Sequence, residues 1–130
     1  MPVTLVTAGL CGLLYIMLSW RVVQVRVSAR VLLGDGGDGL LLQRIRAHAN
    51  FAEYVPFCLI LIFVVENSLF VSPPWLWVVG LALVAARVFH AIGMTRGRVN
   101  AWRTIGTVAT LLIMAGLSAA ALVVAATLPA

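Results

Sequence analysis

The stretch RAHANFAEYVP, residues 46–56, carries a cation, an amide and an anion at positions i, i+4 and i+7: Arg46, Asn50 and Glu53. On a helix turning about 100° per residue, these three fall within roughly 60° of arc and point the same way. His48 falls on the opposite side and Tyr54 flanks the stripe. Arg87, His90 and Met94 form a second stripe, at i, i+3 and i+7. Arg103 stands near the start of a further helical segment. Backbone N–H groups and the helix dipole favour an anion there. Positive groups therefore surround one glutamate at one level of the chain. That pattern suits an anionic ligand with a single ammonium group, its carboxylates on arginines and its ammonium on Glu53. The bland alternative is a polar network in which Glu53 pairs with an arginine and Asn50 bridges helices.

The elements that must hold these residues are apolar. Of 130 residues, 63% are hydrophobic and only 10% charged. A soluble domain carries about 25% charged residues, so this chain lacks the polar surface that water would require. Residues 3–20, 67–86 and 104–130 are free of charge, and 54–65 forms a shorter uncharged run. A membrane-spanning helix needs roughly 20 mostly apolar residues. The expected fold is an all-α, integral membrane, four-helix antiparallel bundle, forming one domain over 1–130. Its helices are expected over about 3–33, 40–66, 74–93 and 100–127. The first apolar run has no basic residue ahead of it, the wrong order for a secretory signal, and is kept as a true helix.

The second helix is unusual because its first turns are polar. Ionisable groups at membrane depth are costly and mark function by default. GDGGDG, residues 34–39, reads as the turn before it, with Asp38 placed to cap. That turn lacks the ending of a phosphate loop and the spacing of a calcium loop. Pro56 lies inside the second helix, where neighbouring helices can compensate for the lost hydrogen bond. Asn100 is placed to cap the fourth helix, which is rich in small residues that allow close helix approach.

All nine basic residues are arginine. They flank the first and third connections, which share one face of an antiparallel bundle. The positive-inside rule assigns that face to the cytoplasm, with both termini opposite. Arg21, Arg96 and Arg98 need no further explanation. Cys11 and Cys58 both lie within expected spans and are read as packing residues. With two separated histidines they make no metal site. No nucleic-acid partner is expected.

The helix-two pattern, with Arg46, Asn50, Glu53 and Pro56 in register, resembles the R-x-x-x-N-x-x-E-x-x-P signature of the MAPEG family, the membrane-associated proteins of eicosanoid and glutathione metabolism. Chain length, four helices and arginine-flanked odd loops agree, and RVLLGDGGDGLLLQRIRAHAN is most similar to small bacterial members. The resemblance implies a homotrimer in the bacterial inner membrane, with glutathione as co-substrate bound between subunits on the cytoplasmic side. It implies glutathione contacts from Arg26, Arg46, Asn50, Glu53, His90 and Thr104, with Arg103 activating the thiol. Arg87 and His90 are similar to an R-x-x-H pattern of some relatives. Met94 departs from the pattern, standing where several relatives carry a glutathione-contacting tyrosine.

The implied activity is glutathione transfer to, or glutathione-dependent reduction of, lipophilic electrophiles that enter from the lipid. The alternative is a non-catalytic scaffold of the same fold that binds lipid or glutathione. A small multidrug transporter, also four-helical, would need an acid within its first span, and residues 3–20 contain none.

Overall fold

A computed structural model gives the architecture and describes residues 1–96 and 100–127. Arg98, with the rest of 97–99 in the third connection, lies outside the described residues. Four helices follow in order: α1 (Pro2–Ala29), α2 (Gly39–Leu69), α3 (Pro74–Met94) and α4 (Ala101–Thr127). Each is long and apolar enough to cross a membrane. α2 and α3 form the central pair. α1 packs on both from one side and α4 on both from the other, and α1 and α4 do not meet among the described residues.

Two apolar clusters lie along the bundle. Cys11, Leu18, Phe51, Val55, Ala91 and Met94 pack around the arginine-flanked end. Val3, Cys58, Ile62, Leu76, Leu83 and Leu117 pack toward the other. Large apolar side chains such as Leu13, Ile16, Leu112 and Leu122 are exposed on the outer surface of the chain. This is the pattern of a bundle whose solvent is lipid, where outward leucines carry no penalty.

The helix ends explain the connections. Asp38 caps α2 as its position suggests: its Oδ1 accepts from the N–H groups of Leu40 at 2.8 Å and Leu41 at 2.9 Å. Gly34, Gly36 and Gly37 take positive φ in the preceding turn, which is why glycine occurs there. α1 stops at Ala29, short of the expected residue 33, with Arg30 left-handed at φ 54°. The reason is Arg26. Its Nη1 donates to the carbonyls of Val31, Leu32 and Gly34 at 3.4, 3.3 and 3.0 Å, so the chain wraps around the guanidinium. Leu32 and Leu33, read as helical from their apolar character, are exposed turn residues.

α2 continues through Pro56 and runs past Glu66 to Leu69. Glu66 is 2% exposed. Its carboxylate accepts from the N–H groups of Val3 at 3.0 Å and Thr4 at 2.8 Å, from Thr4 Oγ1 at 2.6 Å and from the Ser72 hydroxyl. A side chain of α2 thus satisfies the unpaired first-turn N–H groups of α1.

Candidate functional site

The stripes on α2 and α3 meet at the arginine-flanked end. Glycine makes the meeting possible. A Cβ built on Gly106 would lie 2.6 Å from the Ala86 carbonyl oxygen and 2.6 Å from the His90 nitrogen. One built on Gly93 would lie 2.7 Å from the Arg103 Cα. α3 and α4 therefore touch backbone to backbone at these points, which brings His90 and Arg103 side by side. Asn100 fixes the start of α4. Its Oδ1 accepts from the Arg103 N–H at 3.1 Å and its amide donates to the Gly93 carbonyl at 2.8 Å.

Arg87 is the hub. It is 1% exposed, in the middle of the bundle. Its Nη2 donates to Asn50 Oδ1 at 2.7 Å and to His90 Nδ1 at 3.1 Å. Its Nη1 donates to Thr110 Oγ1 at 3.3 Å, and that hydroxyl donates onward to the Gly106 carbonyl at 2.8 Å. The guanidinium carbon stands 5.7 Å from the centre of the Phe51 ring, a cation–π contact. Its Nε is buried without a hydrogen-bond partner among the described residues. Three helices are tied together by one cation whose hydrogen-bond partners are all neutral. No carboxylate bonds it among the described residues, so its charge stays uncompensated in a poorly polarisable interior.

Beside this hub lies a pocket of about 230 Å³ lined by Leu42, Gln43, Arg46, Asn50, His90, Met94 and Arg103. Of the residues expected to bind or activate a ligand, Arg46, Asn50, His90 and Arg103 come together here. Arg46 and Arg103 are exposed, so their guanidinium groups have room to reach a ligand. No acid is among the lining residues. With Arg87 behind it, the pocket is a site of positive charge bounded by low-dielectric walls, which concentrates anions.

The remaining expected residues lie elsewhere. Arg26 is engaged with the α1–α2 turn. Glu53 is exposed on the outer face of α2, outside the pocket. Thr104 is exposed and its hydroxyl donates to the Asn100 carbonyl at 3.2 Å. His48 faces α1, 3.1 Å from Ser19 Oγ and stacked on Tyr15 at 4.5 Å. Two residues of the hub were not given a site role from sequence: Arg87, noted in the second stripe and as the arginine of an R-x-x-H pattern, and Thr110, a lone hydroxyl in an apolar helix with no signal of its own.

A bundle of this kind, with an arginine–asparagine–histidine cluster at one end of α2 and α3, defines a class, and comparison with known proteins names it. Residues 4–123 match the model of the MAPEG family, and the chain belongs to that family. It is similar to the inner membrane protein YecN of Escherichia coli strain K12, at 36% identity over 104 residues, 79% of this chain and 77% of YecN. The protein of the same name from Escherichia coli O6:H1 matches equally, at 36% over the same length. No solved structure matches.

Proposed function

We propose that the chain is a membrane-bound glutathione transferase or peroxidase acting on lipophilic electrophiles, with the pocket between α2, α3 and the start of α4 as its glutathione site. The observation that carries this reading is the convergence of Arg46, Arg103 and buried Arg87 on a pocket without an acid, in a member of the MAPEG family. Glutathione supplies two carboxylates and a thiolate to such a field.

The pocket's size bears on assembly. At about 230 Å³ it falls below the range of roughly 300–1,000 Å³ usual for pockets that enclose a small ligand. One chain therefore supplies part of a site. In a homotrimer the open side would face a neighbouring chain. Glu53, exposed on the outer face of α2, would then take the ammonium group at the subunit boundary. Arg26 and Thr104 would contribute there too, or not at all.

The chemistry asked of the protein is small. A free thiol with a pKa near about 8.5 is mostly protonated at neutral pH, and the thiolate is the nucleophile. Arg103 would hold the thiolate charge as the proton leaves to solvent; the sulfur would then bond the electrophilic carbon of the second substrate, and the electron pair of the bond broken there would leave with the displaced group or, in an addition, stay on the substrate and take a proton from solvent. The dipole of α4 helps. The Arg103 N–H does not, because Asn100 already accepts it. Positioning and charge stabilisation are then the whole of the catalysis. The arginine-rich connections face the cytoplasm in this reading, where glutathione is made.

Met94 in the lining favours the second reading, a non-catalytic scaffold that binds glutathione or lipid, because a thioether offers no proton to a thiol. Calorimetry on detergent-purified protein with glutathione tests the site. Wild type should bind, and Arg46→Ala and Glu53→Gln should bind more weakly by about tenfold or more. A folded wild type that shows no heat at millimolar glutathione sinks the transferase reading. Thiolate absorbance, present in wild type and absent in Arg103→Ala, separates enzyme from scaffold.

A further inference from the structure

Arg87 does more than brace the helices. A guanidinium has only donors. The nitrogen of His90 that faces it, Nδ1 at 3.1 Å, must therefore be the unprotonated one, so a neutral His90 carries its proton on Nε2. The same logic fixes the orientation of Asn50. Its oxygen is taken by Arg87 at 2.7 Å, so its NH2 is the end left over. Neither His90 Nε2 nor the Asn50 NH2 is among the buried polar atoms lacking a partner, and both residues line the pocket.

We propose that Arg87 is a positioning residue that fixes the polarity of the pocket. By occupying the ring acceptor of His90 and one lone pair of the Asn50 oxygen, it leaves the His90 Nε2–H and the Asn50 NH2 as the groups open to a ligand at that end. With Arg46 and Arg103 also donors only, this end of the pocket, built by α2, α3 and the start of α4, accepts a carboxylate or an amide carbonyl and disfavours an ammonium group. The ligand's orientation follows: acceptors toward His90 and Asn50, ammonium away from them, toward the outer face of α2. Naming that ligand glutathione rests on the function proposed above. The donor pattern itself does not.

Two measurements test it. The chain has two histidines, so in a His48→Gln background the side-chain 15N signals belong to His90 alone. Without any ligand, Nδ1 should resonate as an unprotonated acceptor and Nε2 as protonated. Arg87→Met should move Nδ1 to the value of a ring averaging both tautomers. A protonated Nδ1 in the parent, or no movement in Arg87→Met, overturns the proposal.

Asn50→Asp covers the case in which Arg87→Met does not fold. It keeps an acceptor for Arg87, and so the packing, but presents an oxygen to the ligand where an NH2 was. The glutathione Kd should rise at least about tenfold while the thermal midpoint holds or increases. An unchanged Kd overturns the proposal. If wild type binds no glutathione, the proposed function fails, and the nitrogen spectra still decide the role of Arg87.

Discussion

Two polar clusters sit at opposite ends of the same bundle and are built in opposite ways. At one end Glu66 accepts four hydrogen bonds, all from the protein: two α1 N–H groups and the hydroxyls of Thr4 and Ser72. The charge is negative and buried, and protein donors surround it. At the other end Arg87 is equally buried, yet the groups it organises point outward, into a pocket edged by Arg46 and Arg103. A charge surrounded by enough protein donors holds a structure together. A charge that aligns groups which are themselves left open prepares a binding site. Burial alone does not tell these apart, since Glu66 and Arg87 are 2% and 1% exposed. The destination of the neighbouring hydrogen bonds does.

The largest effect should come from breaking the closed cluster. Glu66→Ala strands the buried Val3 N–H and the part-buried Thr4 N–H at the start of α1, and losing a charged acceptor there costs roughly 2–4 kcal/mol. The thermal midpoint in detergent should fall sharply. Glutathione affinity of the protein that remains folded should not change, because the pocket lies at the other end. A Glu66→Ala protein that keeps its midpoint, or loses affinity in proportion, would erase the contrast between the two ends.

Next is the seam that builds the open site. Gly106→Val places carbon atoms where the Ala86 carbonyl and the His90 backbone already lie 2.6 Å from a Cβ position. Backbone cannot yield as a side-chain tip can, so overpacking of about 1–3 kcal/mol is expected. Here stability and binding should fall together, because separating α3 from α4 also parts His90 from Arg103. Gly116, whose added Cβ would meet nothing within 4 Å, provides the control, and Gly116→Ala should leave binding unchanged while the midpoint holds or rises, since alanine favours a helix over glycine by up to about 1 kcal/mol.

The contrast also sorts what the sequence could tell. Four membrane helices were legible because uncharged runs of that length have no other stable use. The stripe on α2 was legible because helical periodicity places Arg46 and Asn50 together whatever packs against them. The caps at Asp38 and Asn100 were legible because they act within one turn. What could not be read was register between helices. Glu66 bonds Val3 across 63 residues, and Arg87 bonds Asn50 across 37. Nothing local to either residue announces its partner. Residues 31–33 misled for a related reason: their apolar character suits a helix, but Arg26 captures the carbonyls of Val31, Leu32 and Gly34 as the chain turns.

Charge at the mouth of the pocket should affect binding only. Arg46→Ala and Arg103→Ala each remove an exposed guanidinium that makes no hydrogen bond among the described residues. The thermal midpoint should stay within error. The glutathione Kd should rise about ten- to a hundredfold, the value of one charge-assisted contact to a carboxylate. Arg46→Lys should recover part of the loss, since an ammonium keeps the charge but not the planar fork. Full recovery by lysine would mean that the pocket reads charge alone.

The smallest effect sharpens the comparison most. Thr110 takes the longest of Arg87's hydrogen bonds, at 3.3 Å, on Nη1, while Asn50 and His90 are both held by Nη2. Thr110→Val is close in shape and removes the hydroxyl, so it should cost about 1 kcal/mol of stability, the net value of a typical internal hydrogen bond. The two nitrogens have separate tasks. Losing the partner of Nη1 should leave the His90 tautomer and the glutathione Kd where they were. If Thr110→Val instead frees His90 to exchange tautomers, then the guanidinium is held in place by α4, and the bracing and positioning roles of Arg87 are one and the same.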